Sequence, residues 1–365
     1  MKGVLTLIFK RVFSYVQHSR SFIVLMNMKK NLAWFLCLLL FFSCNNNKNI
    51  PDVSGIKVAL PIERFEQSFF TIDTNDIPVG LKKIQQKHPD FYFDFMKEIL
   101  GVDGVDTNTA TLQVAREFLI GYLPVYEMLE KKYQNIGWLQ KELERAFQFV
   151  KYYFPEYKTG KAITFIGPFD APGTALTKSG LAIGLHQYAG KDFPVYLSTI
   201  GQQLYPTYIS RRFEPEYITA NCMKAVVQDL FPDKSTGKGL IEQMIEKGKQ
   251  WWLLDKFMPE APDSVKTGFT QKQLEWCREY EGLIWQTIIT NEKDIHTIEP
   301  VAIQNYIGDA PFTPNMPAAS PGNIGQWVGL QIVKKFAEKN PGMKPREIME
   351  ADAKRILEEA KYKPK

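Results

Sequence analysis

Hydrophobic residues recur at helical spacing along most of the chain, and this pattern predicts a mostly helical protein. Segment 138–154 shows it most plainly, since one face of a helix there would carry the apolar residues Leu139, Leu143, Phe147, Val150 and Phe154. The same spacing predicts helices over residues 79–87, 109–133, 215–231, 239–257, 270–290, 323–338 and 345–362. We expect the helices before residue 155 to form a layer of their own.

Two short apolar segments in the middle of the chain predict strands. They cover residues 161–166 and 181–185, and turn signals at 167–168 and 172–173 separate them. Residues 56–72 alternate enough to predict another strand where the chain enters the fold. Together the patterns predict a mostly helical α+β fold, in which a helical layer is followed by a small sheet and further helices.

Two stretches rich in proline and glycine predict irregular structure. Residues 193–208 form a turn-rich segment, and residues 306–321 form a loop that contains four prolines. This loop is too apolar to be a free linker, because a solvated linker is normally polar. We therefore expect it to pack over a cleft.

The charge is distributed unevenly. The 365 residues include 45 Lys and Arg against 40 Asp and Glu, a formal net charge of +5. Residues 1–43 contain six basic and no acidic residues, which leaves 39 basic against 40 acidic in the rest of the chain. A nucleic-acid binder would carry its positive charge on the folded part. We therefore expect no nucleic-acid partner and interpret the basic segment as a targeting signal.

Residues 28–49 have the layout of a secretory signal followed by a polar tether. Two lysines precede an apolar run over 32–42, which is shorter than the roughly 20 residues of a membrane-spanning helix. The residues that follow, FFSC at 41–44, resemble the loose lipobox of Bacteroidetes lipoproteins, in which the cysteine is acylated and becomes the new N-terminus. This resemblance implies a lipid on Cys44. The alternatives are a chance cysteine after an ordinary signal and an N-terminal membrane helix.

These features divide the chain into three parts. We predict, in chain order, a lipoprotein signal peptide over 1–43, a lipidated Asn-rich tether over 44–55, and a single domain over 56–365, with a helical N-terminal part over 56–157 and a second part over 158–365. Met28 is a candidate for the true start of translation. We expect acylated Cys44 to anchor the domain to the inner or the outer membrane, facing the periplasm.

The cysteines after the signal predict no disulfide framework. Cys37 and Cys44 belong to the targeting region, so only Cys222 and Cys277 remain for the fold. Each lies in a predicted helix next to a large apolar residue. We predict two buried free thiols, because free cysteine behaves as a small hydrophobic residue.

No intact catalytic or metal-binding motif follows the signal in the sequence. The three histidines His88, His186 and His296 are isolated from one another, and no pair has the spacing of a zinc site. We interpret His88 as a cap at a helix end and His296 as part of a polar turn, and leave a functional role open for His186. Motifs for a nucleophile elbow, a phosphate loop or a dinucleotide are missing as well. We therefore predict no metal, no cofactor and no enzymatic activity.

The densest polar cluster spans residues 208–217. Arg211 and Arg212 lie beside Glu214 and Glu216 at a predicted helix start. Paired guanidinium hydrogen bonds could bind a carboxylate or a phosphate. The alternative is an internal ion-pair network, in which Glu216 also interacts favourably with the helix dipole.

Four segments resemble the gliding motility lipoprotein GldB family of Bacteroidetes. They are IGLHQY at 183–188, FPVYL at 193–197, YPTYISRRF at 205–213 and GNIGQWVG at 322–329. The resemblance extends in order and spacing from the lipobox to the C-terminus. It implies an essential envelope lipoprotein of the gliding apparatus, functionally close to the type IX secretion machinery, with protein partners in that apparatus.

A second resemblance is to a zinc-peptidase family in which a strand pair precedes a His-Glu-x-x-His helix. If residues 215–219 occupy that motif, Glu216 is retained, while proline and threonine replace the ligating histidines. Without a metal to lower the pKa of bound water, Glu216 alone could not carry out the reaction. This resemblance implies a zincin-like scaffold that has lost its metal site and kept its cleft.

The leading hypothesis is a non-catalytic, lipid-anchored protein that binds a protein or peptidoglycan partner through a cleft. The residues predicted to line this cleft are Tyr208, Arg211, Arg212, Glu216, Asn323 and Trp327. The alternatives are an envelope peptidase or peptidoglycan hydrolase on the zincin-like scaffold, and a carrier of a small ligand.

Overall fold

A four-stranded mixed sheet connects the two halves of the chain in the computed structural model, which describes residues 50–291 and 295–364. In chain order its strands are β1 (Ile62–Arg64), β2 (Ala162–Phe165), β3 (Thr174–Thr177) and β4 (Gly180–Gly184). The spatial order is β1-β2-β4-β3, in which only the β3–β4 pair is antiparallel. The predicted signal peptide, its candidate start Met28 and the predicted lipidation site Cys44 lie outside the described residues.

Helices make up most of the unit Asp52–Lys365. Those of the first half are α1 (Phe65–Phe69), α2 (Ile77–Lys87), α3 (Pro89–Asp94), which continues as a π-helical turn (Phe95–Ile99), α4 (Thr109–Lys132) and α5 (Gly137–Tyr153). After the sheet come α6 (Pro194–Leu197), α7 (Thr199–Leu204), α8 (Thr207–Ser210), α9 (Ile218–Leu230), α10 (Leu240–Phe257), α11 (Asp263–Thr267), α12 (Gln271–Glu279), α13 (Glu281–Asn291), α14 (Pro300–Ile307), α15 (Ile324–Lys339), α16 (Pro345–Glu350) and α17 (Ala353–Ala360). Short 3-10 helices cover Leu185–Gln187 and Pro215–Tyr217.

The first half packs around phenylalanine rings. Phe65 and Phe69 of α1 meet Phe95 with ring centroids 4.7 and 5.1 Å apart, and Phe91 meets Phe165 of β2 at 5.8 Å. All five side chains are buried. Edge-to-face and tilted ring pairs add about 0.5–1.5 kcal/mol each to the free energy of burial. This cluster fixes α1 and α3 against the sheet.

In the second half, two glycines let α10 and α15 approach closely. A Cβ atom on Gly248 would lie 2.1 Å from the carbonyl carbon of Gly329, and one on Gly329 would lie 1.7 Å from the carbonyl oxygen of Met244. Neither position therefore tolerates a side chain while the helices keep this separation. The close contact holds the start of α15, and with it Asn323, against the rest of the domain.

The prediction of a mostly helical α+β fold is confirmed, with 58% of the described residues in helices. Segment 56–72 is corrected, because only Ile62–Arg64 is strand and a helix begins at Phe65. Phe65 and Phe69 are four residues apart and both buried, a spacing that favours helix over strand.

Two predicted long helices are each divided. Segment 270–290 breaks at Tyr280, whose φ of −108° and ψ of 21° are not helical. Segment 345–362 breaks at Ala351, after which the Asp352 carboxylate accepts hydrogen bonds from the amides of Lys354 and Arg355 and starts a new helix. Strand β3 and helices α3 and α14 lacked a sufficient periodic signal, and the segment 193–208 contains three short helices.

The prediction of two buried free thiols is confirmed. Cys222 and Cys277 are both 0% exposed and neither is in a disulfide. Burial raises the pKa of both thiols, to about 12 for Cys277. Neither is therefore activated as a nucleophile at neutral pH.

Candidate functional site

Four of the six predicted cleft residues line one shallow cavity, here called the arginine cleft. Its lining includes Tyr208, Arg211, Arg212, Gly268, Asp309 and Asn323. These residues come from the end of α8, the end of α11 and the two ends of the loop that leads into α15. The loop that was predicted to cover a cleft thus supplies part of the wall.

Local backbone conformation places the residues of the arginine cleft. Gly268 ends α11 with φ of 76°, a left-handed conformation that glycine adopts at little cost. A Cβ atom there would lie 2.9 Å from Cδ of Arg212. Asn323 is also left-handed, with φ of 47°, directly before α15. Two unusual turns therefore bring the residues of distant segments next to the arginines.

Hydrogen bonds divide the roles of the two arginines. Arg211 Nη2 donates to the carbonyl oxygen of Gly268 at 2.7 Å, whereas Arg212 Nη2 lies 3.5 Å from Oδ2 of Asp309. Asn323 Nδ2 donates to Oδ1 of the same carboxylate at 3.1 Å. Arg211 is thus held by a backbone group, and Arg212 shares its only described carboxylate with Asn323.

The structure adds Lys224 to this region, a residue that the sequence analysis missed. Burial and, to a smaller extent, the positive charge of Arg212 lower its pKa to about 8, while Asp309 opposes the shift. Among the described residues its ammonium group has no carboxylate within ion-pair distance, and Nζ lies 3.5 Å from Oδ1 of Asn221. A usable signal existed, since Lys224 is the only charged residue between positions 218 and 227.

The arginine cleft therefore has a surplus of positive charge. Arg211 and Arg212 line the cleft together with a single described carboxylate, that of Asp309. Lys224 is outside this lining but is close enough to interact electrostatically with Arg212 and Asp309. Burial and the neighbouring charge of Arg212 lower the pKa of Arg211, which means that an incoming anion would relieve unfavourable interactions. The cavity is only about 30 Å³, roughly the space of two water molecules, so it could receive the two oxygens of a carboxylate group but not a whole ligand.

The other two predicted cleft residues lie elsewhere, which corrects the predicted set. Glu216 lines a more apolar cavity of about 490 Å³ next to Arg145 and Phe149. Trp327 is 3% exposed and borders a small cavity with Trp251 and Lys266. Both residues are close in sequence to residues that line the cleft. Glu216, however, lies in the 3-10 turn before α9, and Trp327 lies one turn into α15. At these positions their side chains line other cavities.

The buried histidine His186 forms hydrogen bonds with two backbone groups. Its Nδ1 accepts from the amide of Gly167 at 3.1 Å, and its Nε2 lies 3.1 Å from the carbonyl oxygen of Ala171. Full burial lowers its pKa to about 4. The neutral ring therefore ties the end of β4 to the turn after β2.

Residues 50–291 and 295–364 contain neither a cluster of metal ligands nor a candidate membrane span. No group of three or more histidine, cysteine, aspartate or glutamate side chains is arranged to hold a metal ion. No helix in the same residues is both long enough and apolar enough to cross a bilayer.

Fold and cleft together define a mostly helical α+β protein with a small cationic cleft. The family model for the gliding motility protein GldB matches residues 46–364. The chain therefore belongs to the GldB family, as the four sequence segments predicted. Neither the curated proteins nor the solved structures contained a match, so the resemblance to a zinc-peptidase scaffold stays a prediction.

Proposed function

We propose that this protein is a lipid-anchored component of the gliding machinery in the cell envelope and binds a carboxylate-bearing partner through the arginine cleft. Membership of the GldB family supports the role in gliding. The proposed partner is a protein of the gliding or type IX secretion apparatus, or peptidoglycan. We propose that the cleft acts by binding and not by catalysis.

The observation that carries the binding proposal is the unbalanced charge. Arg211 and Arg212 line the cleft with only one described carboxylate, Asp309, and the partly desolvated ammonium of Lys224, outside that lining, adds a third positive charge that interacts with Arg212 and Asp309. Keeping more cations than carboxylates in such a place costs folding free energy. A carboxylate in the cleft would accept hydrogen bonds from Arg212 and would offset that cost.

Binding is tested with the double variant Arg211→Ala/Arg212→Ala. We expect loss of gliding and loss of the partner from pull-downs of envelope membranes, with protein abundance and folding unchanged. Arg355→Gln/Lys335→Gln is the matched control, because it also removes two positive charges, from exposed side chains of α17 and α15. Unchanged gliding and unchanged partner recovery in a folded double variant would refute the proposal.

The nature of the partner is tested with the same protein. Binding to purified peptidoglycan sacculi that the double variant loses would identify the carboxylates of the cell wall as the ligand. Recovery of a protein partner after complete digestion of the peptidoglycan would identify a protein carboxylate instead.

The lipid anchor is a separate proposal on Cys44. We expect radiolabelled palmitate to enter the wild-type protein and not Cys44→Ser, which should accumulate as an unprocessed precursor. Palmitate incorporation into Cys44→Ser would contradict the anchor. This outcome would leave the binding proposal for the arginine cleft unaffected.

A further inference from the structure

A second polar cluster, absent from the sequence predictions, lies where β1 and α1 meet the end of α2. Ser68 Oγ is 3.2 Å from Nε2 of His88, and Nδ1 of the same ring is 3.0 Å from Oε2 of Glu63. We call these three residues the serine cluster. A hydroxyl, an imidazole and a carboxylate in hydrogen-bonded series are the arrangement of an activated serine nucleophile.

The fold holds the imidazole firmly in this series. His88 caps the C-terminus of α2 and directly precedes Pro89 at the start of α3, so its backbone is constrained on both sides. The ring is 4% exposed and meets the edge of Phe65 with centroids 5.4 Å apart. Its side chain therefore bridges Ser68 and Glu63 in one orientation.

The charges around the series favour a neutral imidazole as a base. Burial raises the pKa of Glu63, but hydrogen bonds from Lys161 and His88 outweigh this and hold that pKa below its usual value. Burial lowers the pKa of His88 despite the opposing carboxylate. At neutral pH, Nδ1–H thus donates to Glu63, and Nε2 is free to accept the proton of Ser68.

Ser68 is reachable from a large cavity, whereas His88 is not part of the cavity wall. The cavity holds about 500 Å³, and its lining includes Ser68, Lys83 and Lys87. Lys87 Nζ also donates to Oγ of Ser68 at 2.8 Å. The hydroxyl is therefore flanked by a buried base on one side and a positive charge on the open side, where an oxyanion would form.

We propose that the serine cluster is a nucleophilic site that hydrolyses a carboxylic ester or amide. Oγ of Ser68 attacks the carbonyl carbon and its proton passes to Nε2 of His88, while the oxyanion forms near the ammonium of Lys87. Collapse breaks the bond to the leaving alcohol or amine, which takes the proton from His88. Water then attacks the acyl-serine with His88 as base, which releases the acid and restores Ser68. Glu63 is a positioning residue.

The test uses the full-length protein in detergent and a fluorophosphonate, which labels activated serine hydroxyls. We expect a label on Ser68, mapped by mass spectrometry and absent from Ser68→Ala. His88→Gln should slow labelling by about 100-fold, the usual contribution of a general base. Ser54→Ala is the matched control, because Ser54 is exposed and has no histidine partner among its described hydrogen bonds.

The proposal fails if folded wild-type protein labels Ser68 no faster than Ser54, or if folded His88→Gln labels as fast as wild type. If urea titration shows that His88→Gln does not fold, the labelling rate of Ser68 relative to that of Ser54 in the wild type is sufficient to test the proposal. The cavity shares no lining residue with the arginine cleft, so neither result bears on partner binding there.

Discussion

The arginine cleft and the serine cluster are both polar, yet they differ in charge balance and in space. The cleft is lined by two arginines and one carboxylate, with Lys224 adding a third positive charge nearby, and its volume is about 30 Å³. In the serine cluster, Glu63 is shared by His88 and Lys161, and the adjoining cavity is about 500 Å³. Excess charge in a small space is typical of recognition of a charged group. An ordered series of hydrogen-bonded side chains beside a large cavity is typical of a catalytic site.

The largest effect should come from Glu63→Gln in the serine cluster. The amide can still accept from His88 but no longer stabilises a positively charged ring, so the fluorophosphonate labelling rate should fall about 10- to 100-fold. The probe concentration that half-saturates the rate should stay the same, because Glu63 does not line the cavity. Partial rescue by Glu63→Asp would support positioning. A purely structural role predicts a lower unfolding midpoint with an unchanged labelling rate.

The next largest effect is on stability in acid, where the two buried histidines His186 and His88 should behave differently. The pKa of His186 is about 4 in the folded protein against 6.5 when unfolded, so the unfolded state binds more protons between these values. Stability should thus fall by about 3 kcal/mol as the pH drops from 6.5 to 4. His186→Gln should remove most of this loss in urea titrations, and His88→Gln much less, since Glu63 opposes the shift there. Equal effects would contradict this difference.

A smaller effect is expected from Lys224→Met near the arginine cleft. The pKa of Lys224 is about 8 when folded against 10.5 when unfolded, so its cost to folding is complete below pH 8 and disappears as the pH rises to 10.5. The variant should be more stable by about 2 kcal/mol at pH 7 and should bind the partner less tightly. Lys87→Met, which removes an exposed lysine beside Ser68, is the control and should not gain stability. A destabilised Lys224→Met would contradict the surplus of charge.

The smallest effect distinguishes the two adjacent arginines. Arg211→Met loses a charged hydrogen bond to the carbonyl of Gly268 and should cost about 1.5 kcal/mol. Arg212→Met loses a 3.5 Å pair with the half-exposed Asp309 and should cost under about 0.5 kcal/mol while weakening partner binding more. Urea titrations and pull-downs of both variants check this order, and a reversed order would assign the binding role to Arg211.

Features formed by residues close together in the sequence were easier to predict than features formed by residues from separate segments. Arg211 and Arg212 are adjacent, so their pattern alone predicted either an anion site or an internal ion-pair network. Asp309, which lines the cleft, and Lys224, which lies near it, come from other segments and were missed. Trp327 was grouped with Asn323 because both lie in the predicted helix over 323–338. In the structure Asn323 precedes α15, and Trp327, one turn into that helix, lines another cavity.

The serine cluster shows the same limit. His88 was interpreted as a helix cap, and its backbone does lie at that position. The partners of its ring come from β1 and α1, which lie 25 and 20 residues earlier in the chain. Their spacing matches no catalytic motif, because the reversal of the chain between α1 and α2 brings them together.

The sequence by itself determined the helical class, the small sheet, the buried thiols, the family and the paired arginines, since each depends on residues that are close in the chain or on their periodicity. Tertiary structure alone decided which cations share Asp309, which predicted residues leave the cleft, and that Ser68, His88 and Glu63 meet. The physical reason is that hydrogen bonds and charge interactions act over a few ångströms in space, whatever the separation along the chain.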